Sequence, residues 1–194
     1  MEKRVETRTL VMSAVLTALT ALLQYMGSFV KLGPFSISLV LIPIVIGAAT
    51  CGVKIGAWLG FVFGGVVLLS GDAGAFLAVD VLGTIITVLA KGTLCGLLAG
   101  LAFKGFKKLT KNDYVSAIIS AVVCPVVNTG IFLIGCLLFF MDTIKMWAEA
   151  ANLGGDIAHY MIFVLVGANF IFELLFNIIF APAVVQIIKV VNGR

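Results

Sequence analysis

Residues 81–103 read VLGTIITVLAKGTLCGLLAGLAF, an apolar run long enough to cross a bilayer with one full charge, Lys91, near its middle. An ammonium at that depth costs a few kcal/mol even on lenient insertion scales, so it must face a protein interior and find a partner group or a ligand. The rest of the chain is as apolar as this stretch. Of its 194 residues 62% are hydrophobic and 11% charged, with a mean hydropathy of +1.22. A soluble domain carries about 25% charged residues. The composition therefore predicts a polytopic membrane protein.

The apolar runs divide the chain into six spans. The first covers residues 9–27. Its Ala14, Ala18 and Ala21 share one helical face, a small-residue face that lets another helix approach closely. Packing inside the bundle would use such a face equally well. Residues 28–36 form a loop with the turn pair Gly33-Pro34. Residues 38–50 are short for a span, and Pro43 predicts a kinked or irregular second segment. The third span, residues 55–69, carries Gly56, Gly60 and Gly64 in a GxxxGxxxG series, a close-packing signature without chemistry of its own. A loop at 70–80 follows, with Asp72, Asp80 and an exposed-looking Phe76. The fourth span, 81–103, leads into a basic loop at 104–113. The fifth span, 114–141, holds Pro125 and Asn128. Residues 142–156 are a polar connection, amphipathic around Trp147. The sixth span, 159–191, has Pro182 near its end. No internal repeat is visible, unlike transporters built from inverted halves. The expected fold is an all-α integral membrane protein, one compact six-helix bundle over residues 1–194.

Basic residues set the orientation. With six spans, one side receives Lys3, Arg4, Arg8, Lys54, Lys104, Lys107, Lys108, Lys111, Lys189 and Arg194, and the other only Lys31 and Lys145. Both termini should therefore be cytoplasmic. The net charge of +4 serves this asymmetry, and no nucleic-acid partner is expected. The four cysteines, Cys51, Cys95, Cys124 and Cys136, lack metal or redox spacing and read as small packing residues.

Three spans carry strongly polar residues near mid-depth. The fourth has Lys91, with Thr84 and Thr87 at i−7 and i−4. The fifth has Asn128 beside Thr129. The sixth has Asn169, Glu173 and Asn177 on one stripe. Such groups must face the bundle interior, and convergence on one cavity is the economical arrangement. The cavity would hold a small molecule with a carboxylate or amide groups, Lys91 supplying the counter-charge and the asparagines hydrogen bonds. The competing reading is a closed network in which Lys91 pairs with Glu173. Asp72 and Asp80 read as solvated or rim groups.

Catalysis has little support. The single histidine, His159, lies at the start of the sixth span, and no HExxH, GxSxG or Walker sequence is present. No cofactor or metal is expected. A gradient-coupled carrier or channel using Lys91 and Glu173 as a relay is the alternative to a binding protein.

The length, the six spans, the cytoplasmic termini and the Ala14-x-x-x-Ala18 pair together resemble the substrate-binding S component of energy-coupling-factor (ECF) vitamin transporters. That resemblance implies a non-enzymatic, high-affinity solute-binding subunit in the plasma membrane. The alanine face of the first helix would dock against a transmembrane coupling subunit. Two cytoplasmic ATPases would supply the power, and the S component would topple in the membrane to release its cargo. The loops at 28–36 and 70–80 would cap the site. Three stretches look similar to the subgroup that includes pantothenate S components: Ile42-Pro43-Ile44-Val45-Ile46-Gly47-Ala48, the Gly-rich third span, and Val127-Asn128-Thr129-Gly130-Ile131. That subgroup carries an arginine before a Gly-rich run in the fourth span. Here the position reads Lys91-Gly92, which keeps the charge and loses the bidentate fork. Pantothenate, with a carboxylate, an amide and hydroxyls, suits lysine plus asparagine. Riboflavin, folate, queuosine precursors and pyridoxine-type vitamins stay open.

Overall fold

The apolar runs fold as helices in chain order: α1 (Glu2–Gly27), α2 (Leu41–Thr50), α3 (Val53–Leu69), α4 (Gly74–Leu77), α5 (Val81–Thr110), α6 (Asp113–Phe139), α7 (Met141–Ala150), α8 (Ile157–His159) and α9 (Gly167–Val191). A computed structural model describes residues 2–29, 31–32, 35–36 and 38–191. Between α1 and α2 a two-residue antiparallel pair, β1 (Lys31–Leu32) and β2 (Phe35–Ser36), sets Lys31 opposite Ser36. The Gly33-Pro34 turn expected there lies outside the described residues, as does Arg194. Among the described residues four helices are long and apolar enough to cross a membrane: Thr7–Gly27 of α1, α5, α6 and α9 up to Val190. The apolar helices α2 and α3 are shorter. The protein is an all-helical membrane protein in this sense.

Several local expectations change. The fourth apolar helix does not end at Phe103 but runs on to Thr110, because Gly105 alone is a weak breaker and the lysines around it are good helix formers. Only two residues then turn the chain. Lys111 adopts the left-handed conformation at φ 55°, and Asn112 caps α6 by accepting from the Tyr114 N–H at 2.9 Å. Lys107 pairs with Asp113 across that turn. Pro43, expected to kink the second segment, is the third residue of α2. In a first turn its missing N–H removes no helix bond. The loop at 70–80 contains the short helix α4, and Phe76 on it is buried, not exposed, with 4% of its surface accessible. The last apolar segment is not one regular helix. After α8 it winds as a π-helix over Tyr160–Leu165 before α9 begins.

The centre of the packing is α5. One side of it carries Gly92, Gly96 and Gly100, which meet Gly60, Gly56 and Val53 of α3. A Cβ on Gly60 would collide with the Gly92 carbonyl oxygen, and one on Gly96 with that of Gly56. The backbones thus touch directly, which only glycine permits. The other side of α5 packs on α6. There the Ser120 hydroxyl donates to the Ala99 carbonyl at 2.9 Å, and Gly135 leaves room for Thr87. α1 buries Ser13, Leu16, Thr20 and Gln24. Ala14 and Ala18 lie on its exposed side, with Ala21 half-buried between, so the first two are not used for packing inside the bundle. The Arg8 guanidinium donates to the Val190 carbonyl at 3.1 Å. That contact brings the beginning of α1 and the end of α9 to the same end of the molecule.

Candidate functional site

Five of the mid-depth polar residues, Lys91, Asn128, Thr129, Asn169 and Glu173, line one cavity that is partly open to solvent and gives the centre of a water-sized sphere about 70 Å³ to move in. Val88 and Lys91 line it from α5, Asn128, Thr129 and Phe132 from α6, and Asn169 and Glu173 from α9. These residues follow helical spacings: 88 and 91 are three apart, 128 and 132 four, 169 and 173 four. Val166, at the junction between the π-helix and α9, adds to the same wall. Single-turn π segments are common beside functional sites. Here the six-residue π stretch lies directly before Val166 and Asn169. Val67, Asp72, Ala73 and Phe76 come from the end of α3 and the segment through α4, and Ser38 from the approach to α2.

Lys91 and Glu173 share this cavity but form no ion pair, since among the described residues the ion pairs within 4.0 Å are Lys107–Asp113 and Lys145–Asp142. Lys91 instead sets its Nζ 5.4 Å from the Phe63 ring centroid and 5.6 Å from that of Phe132. Cation–π contacts contribute about 0.5–2 kcal/mol, against the few kcal/mol that an ammonium costs inside a membrane. Ring faces offer an ammonium no oxygen acceptor for its three N–H donors. An incoming anion or carbonyl therefore gains from both terms.

Glu173 is held by other groups. The Asn128 Nδ2 donates to its Oε2 at 3.4 Å, and Ser38 stands beside it on the cavity wall. The closed Lys91–Glu173 network is therefore not the arrangement adopted. A proton relay between the two would have to cross the cavity.

Phe76 closes one side of the cavity. Its ring meets Phe132, Phe140 and Trp147 edge-on, with centroids 5.5, 4.9 and 5.5 Å away. Such pairs contribute about 0.5–1.5 kcal/mol each beyond area burial. Trp147 belongs to the amphipathic helix α7, which buries Thr143, Ile144 and Ala148. A neighbouring tie runs to α1, where the Gln24 Nε2 donates to Asp72 Oδ2 at 3.4 Å.

A family model described as "ECF transporter, substrate-specific component" matches residues 8–188. The chain belongs to that family. It is thus the substrate-specific subunit of a membrane transporter. Comparison with curated proteins and with solved structures gave no match.

In this substrate-specific component the cavity gathers Lys91, Asn128, Asn169 and Glu173 out of the eight candidate site residues. The other four stand elsewhere. Asp80 is the N-cap of α5, its Oδ1 accepting from the Gly83 N–H at 3.1 Å. The Thr84 hydroxyl donates to the Asp80 carbonyl at 2.6 Å. Thr87 is buried against Gly135 at the α6 contact. Asn177 donates through Nδ2 to the Glu173 carbonyl at 2.8 Å, one turn beyond the cavity. Sequence reasoning missed Ser38, Phe132, Val166 and the inward position of Phe76. Phe132 was within reach, because it lies one turn along from Asn128 on the same stripe. Ser38 and Phe76 had no such signal, since the approach to α2 and the short helix α4 deliver them.

Proposed function

We propose that the chain captures a small water-soluble vitamin, pantothenate fitting best, from the outside of the plasma membrane. In this reading the bundle crosses the membrane six times, with α2 and α3 as shorter spans, and forms a single domain. Both termini are cytoplasmic. The Arg8–Val190 contact supports an even number of crossings, and the lysine and arginine count supports the side. The observation that carries the reading is Lys91, a charge lining a partly open cavity with aromatic neighbours and no ion pair to Glu173. The carboxylate of the vitamin meets the Lys91 ammonium, while Asn128, Asn169 and Glu173 contact its polar groups. The segment through α4 closes over it with Phe76. The exposed alanines of α1 dock on a transmembrane coupling subunit, and two cytoplasmic ATPases drive release.

Thermal-shift titration of the purified chain against vitamins tests this, because a ligand that binds only the folded state raises Tm by mass action. Pantothenate should stabilise the chain. Lys91→Met should leave the ligand-free Tm within a few degrees and weaken binding about 10- to 100-fold, the worth of a charged hydrogen bond. Unchanged affinity in Lys91→Met would remove Lys91 from the site.

A further inference from the structure

The basic end of the bundle holds a second cavity, separate from the one that Lys91 lines. It lies where α2 ends, α3 begins and α5 leaves its apolar run, and Lys54, Lys104 and Lys107 line it. It is open to the surroundings and gives the centre of a water-sized sphere about 550 Å³, against about 70 Å³ in the Lys91 cavity. Ala48, Val53 and Phe103 line it too. Ala48 and Phe103 are buried, whereas Lys54 and Lys104 are exposed, so the floor is apolar and the rim cationic. Among the described residues that line it none is acidic. Lys107 is paired with Asp113, but no carboxylate of the described residues stands within 4.0 Å of Lys54 or Lys104. α3 starts on Gly52, which has no side chain to cap the first N–H groups, and the positive end of that helix adds to the charge of the rim.

Three contacts fix which end of the molecule this is. Lys107 pairs with Asp113 at the start of α6. Lys189 of α9 sets its Nζ 5.0 Å from the Tyr114 ring centroid, and Arg8 of α1 donates to the Val190 carbonyl. The cavity thus shares an end with the beginning of α1 and the end of α9. A cationic rim over an apolar floor, set where an apolar helix passes into a lysine-rich turn, suits a phosphate that carries acyl chains. A water-soluble anion would use the rim alone and leave the floor wet. Basic pockets between spans on the cytoplasmic side bind lipid head groups in this way. We propose that this cavity seats the head group of an anionic glycerophospholipid, its phosphate at Lys54 and Lys104 and its glycerol and first acyl carbons on Ala48, Val53 and Phe103. With no acid on the lining, a zwitterionic head group would find no partner for its ammonium. The inference is independent of the vitamin, and the proposed orientation decides only that the lipid comes from the cytoplasmic leaflet.

The test uses the purified full chain in a neutral detergent. It is titrated with dioctanoyl phosphatidylglycerol, dioctanoyl phosphatidylcholine or inorganic phosphate while Tm is followed. Phosphatidylglycerol should raise Tm, and the other two should not. Lys54→Gln combined with Lys104→Gln should weaken phosphatidylglycerol affinity roughly 30-fold, at about fivefold per lysine near an anionic membrane surface. Each single variant should lose about fivefold, which keeps the test open if the pair does not fold. Lys108→Gln combined with Lys111→Asn removes the same charge just outside the cavity. It should change affinity by no more than about twofold, because exposed charges away from the site are screened. Equal losses in the two pairs would mean a diffuse attraction to the basic end and would overturn the cavity as the site. Unchanged affinity in the Lys54 and Lys104 pair would overturn it too, and if uptake by the complete transporter were lost as well, the lysines would belong to an acidic protein partner. A shift with inorganic phosphate alone would make this an ion site in place of a lipid site. An equal shift with phosphatidylcholine would remove the need for an anionic head group. Either result overturns the proposal, and all of these outcomes leave the vitamin-binding reading untouched.

Discussion

Two adjacent residues of α5 face opposite tasks. Gly92 has no side chain and lies against the Gly60 backbone of α3. Lys91 has a long charged side chain and reaches into the cavity shared with α6 and α9. The glycine seam is specified by what must be absent, so its tolerance is a fraction of an ångström. The cavity is specified by which groups converge, and its walls are not in direct backbone contact. Substitutions on the seam should therefore act on folding, and substitutions in the cavity on binding.

The largest effect should come from Gly60→Leu. Its side chain has nowhere to go but the Gly92 carbonyl, and the expected outcome is loss of monodisperse protein in detergent. Gly65→Ala, on the same helix with open space around it, should behave as wild type. Equal behaviour of the two would break the idea that the seam is an inflexible contact. Next comes a small-residue face of the other kind. Ala14 and Ala18 are exposed, so replacing both with tryptophan should leave Tm and ligand affinity unchanged. Uptake by the complete transporter should fall to background in vesicles. A drop in Tm would show instead that this face packs within the fold. The smallest effect is at the entrance to α5. Asp80→Ala should cost about 1 kcal/mol, the worth of an N-cap, seen as a lower Tm with unchanged ligand affinity. Asp80→Asn should restore most of it, because asparagine caps as well. A loss of affinity would return Asp80 to the cavity rim.

The legible part of the site was its charge and its stripes. Lys91 and Glu173 stand out because an ionised group in an apolar span has few tolerable locations. Asn128 and Asn169 follow from helical spacing and the same cost. Spacing also pointed to Thr84, Thr87 and Asn177, which do not line the cavity. It says which residues share a face, but not which neighbour that face meets. Thr87 meets Gly135 of α6, while Val88, one position on, lines the cavity. The apolar Phe76 looked exposed because its loop is polar. Its burial depends on Phe132, Phe140 and Trp147, three residues far along the chain.

The sequence alone determined the class of the molecule, its apolar helices, the glycine seam of α3 and the presence of a charge needing company. Each of these follows from local composition or period, which bilayer and helix geometry translate directly. The tertiary structure decided what keeps Lys91 company. It lies beside two rings, across a cavity from a carboxylate that accepts from Asn128 and has Ser38 beside it. Those partners come from separate helices and a connecting segment, and their convergence depends on how the helices cross, which no local pattern encodes.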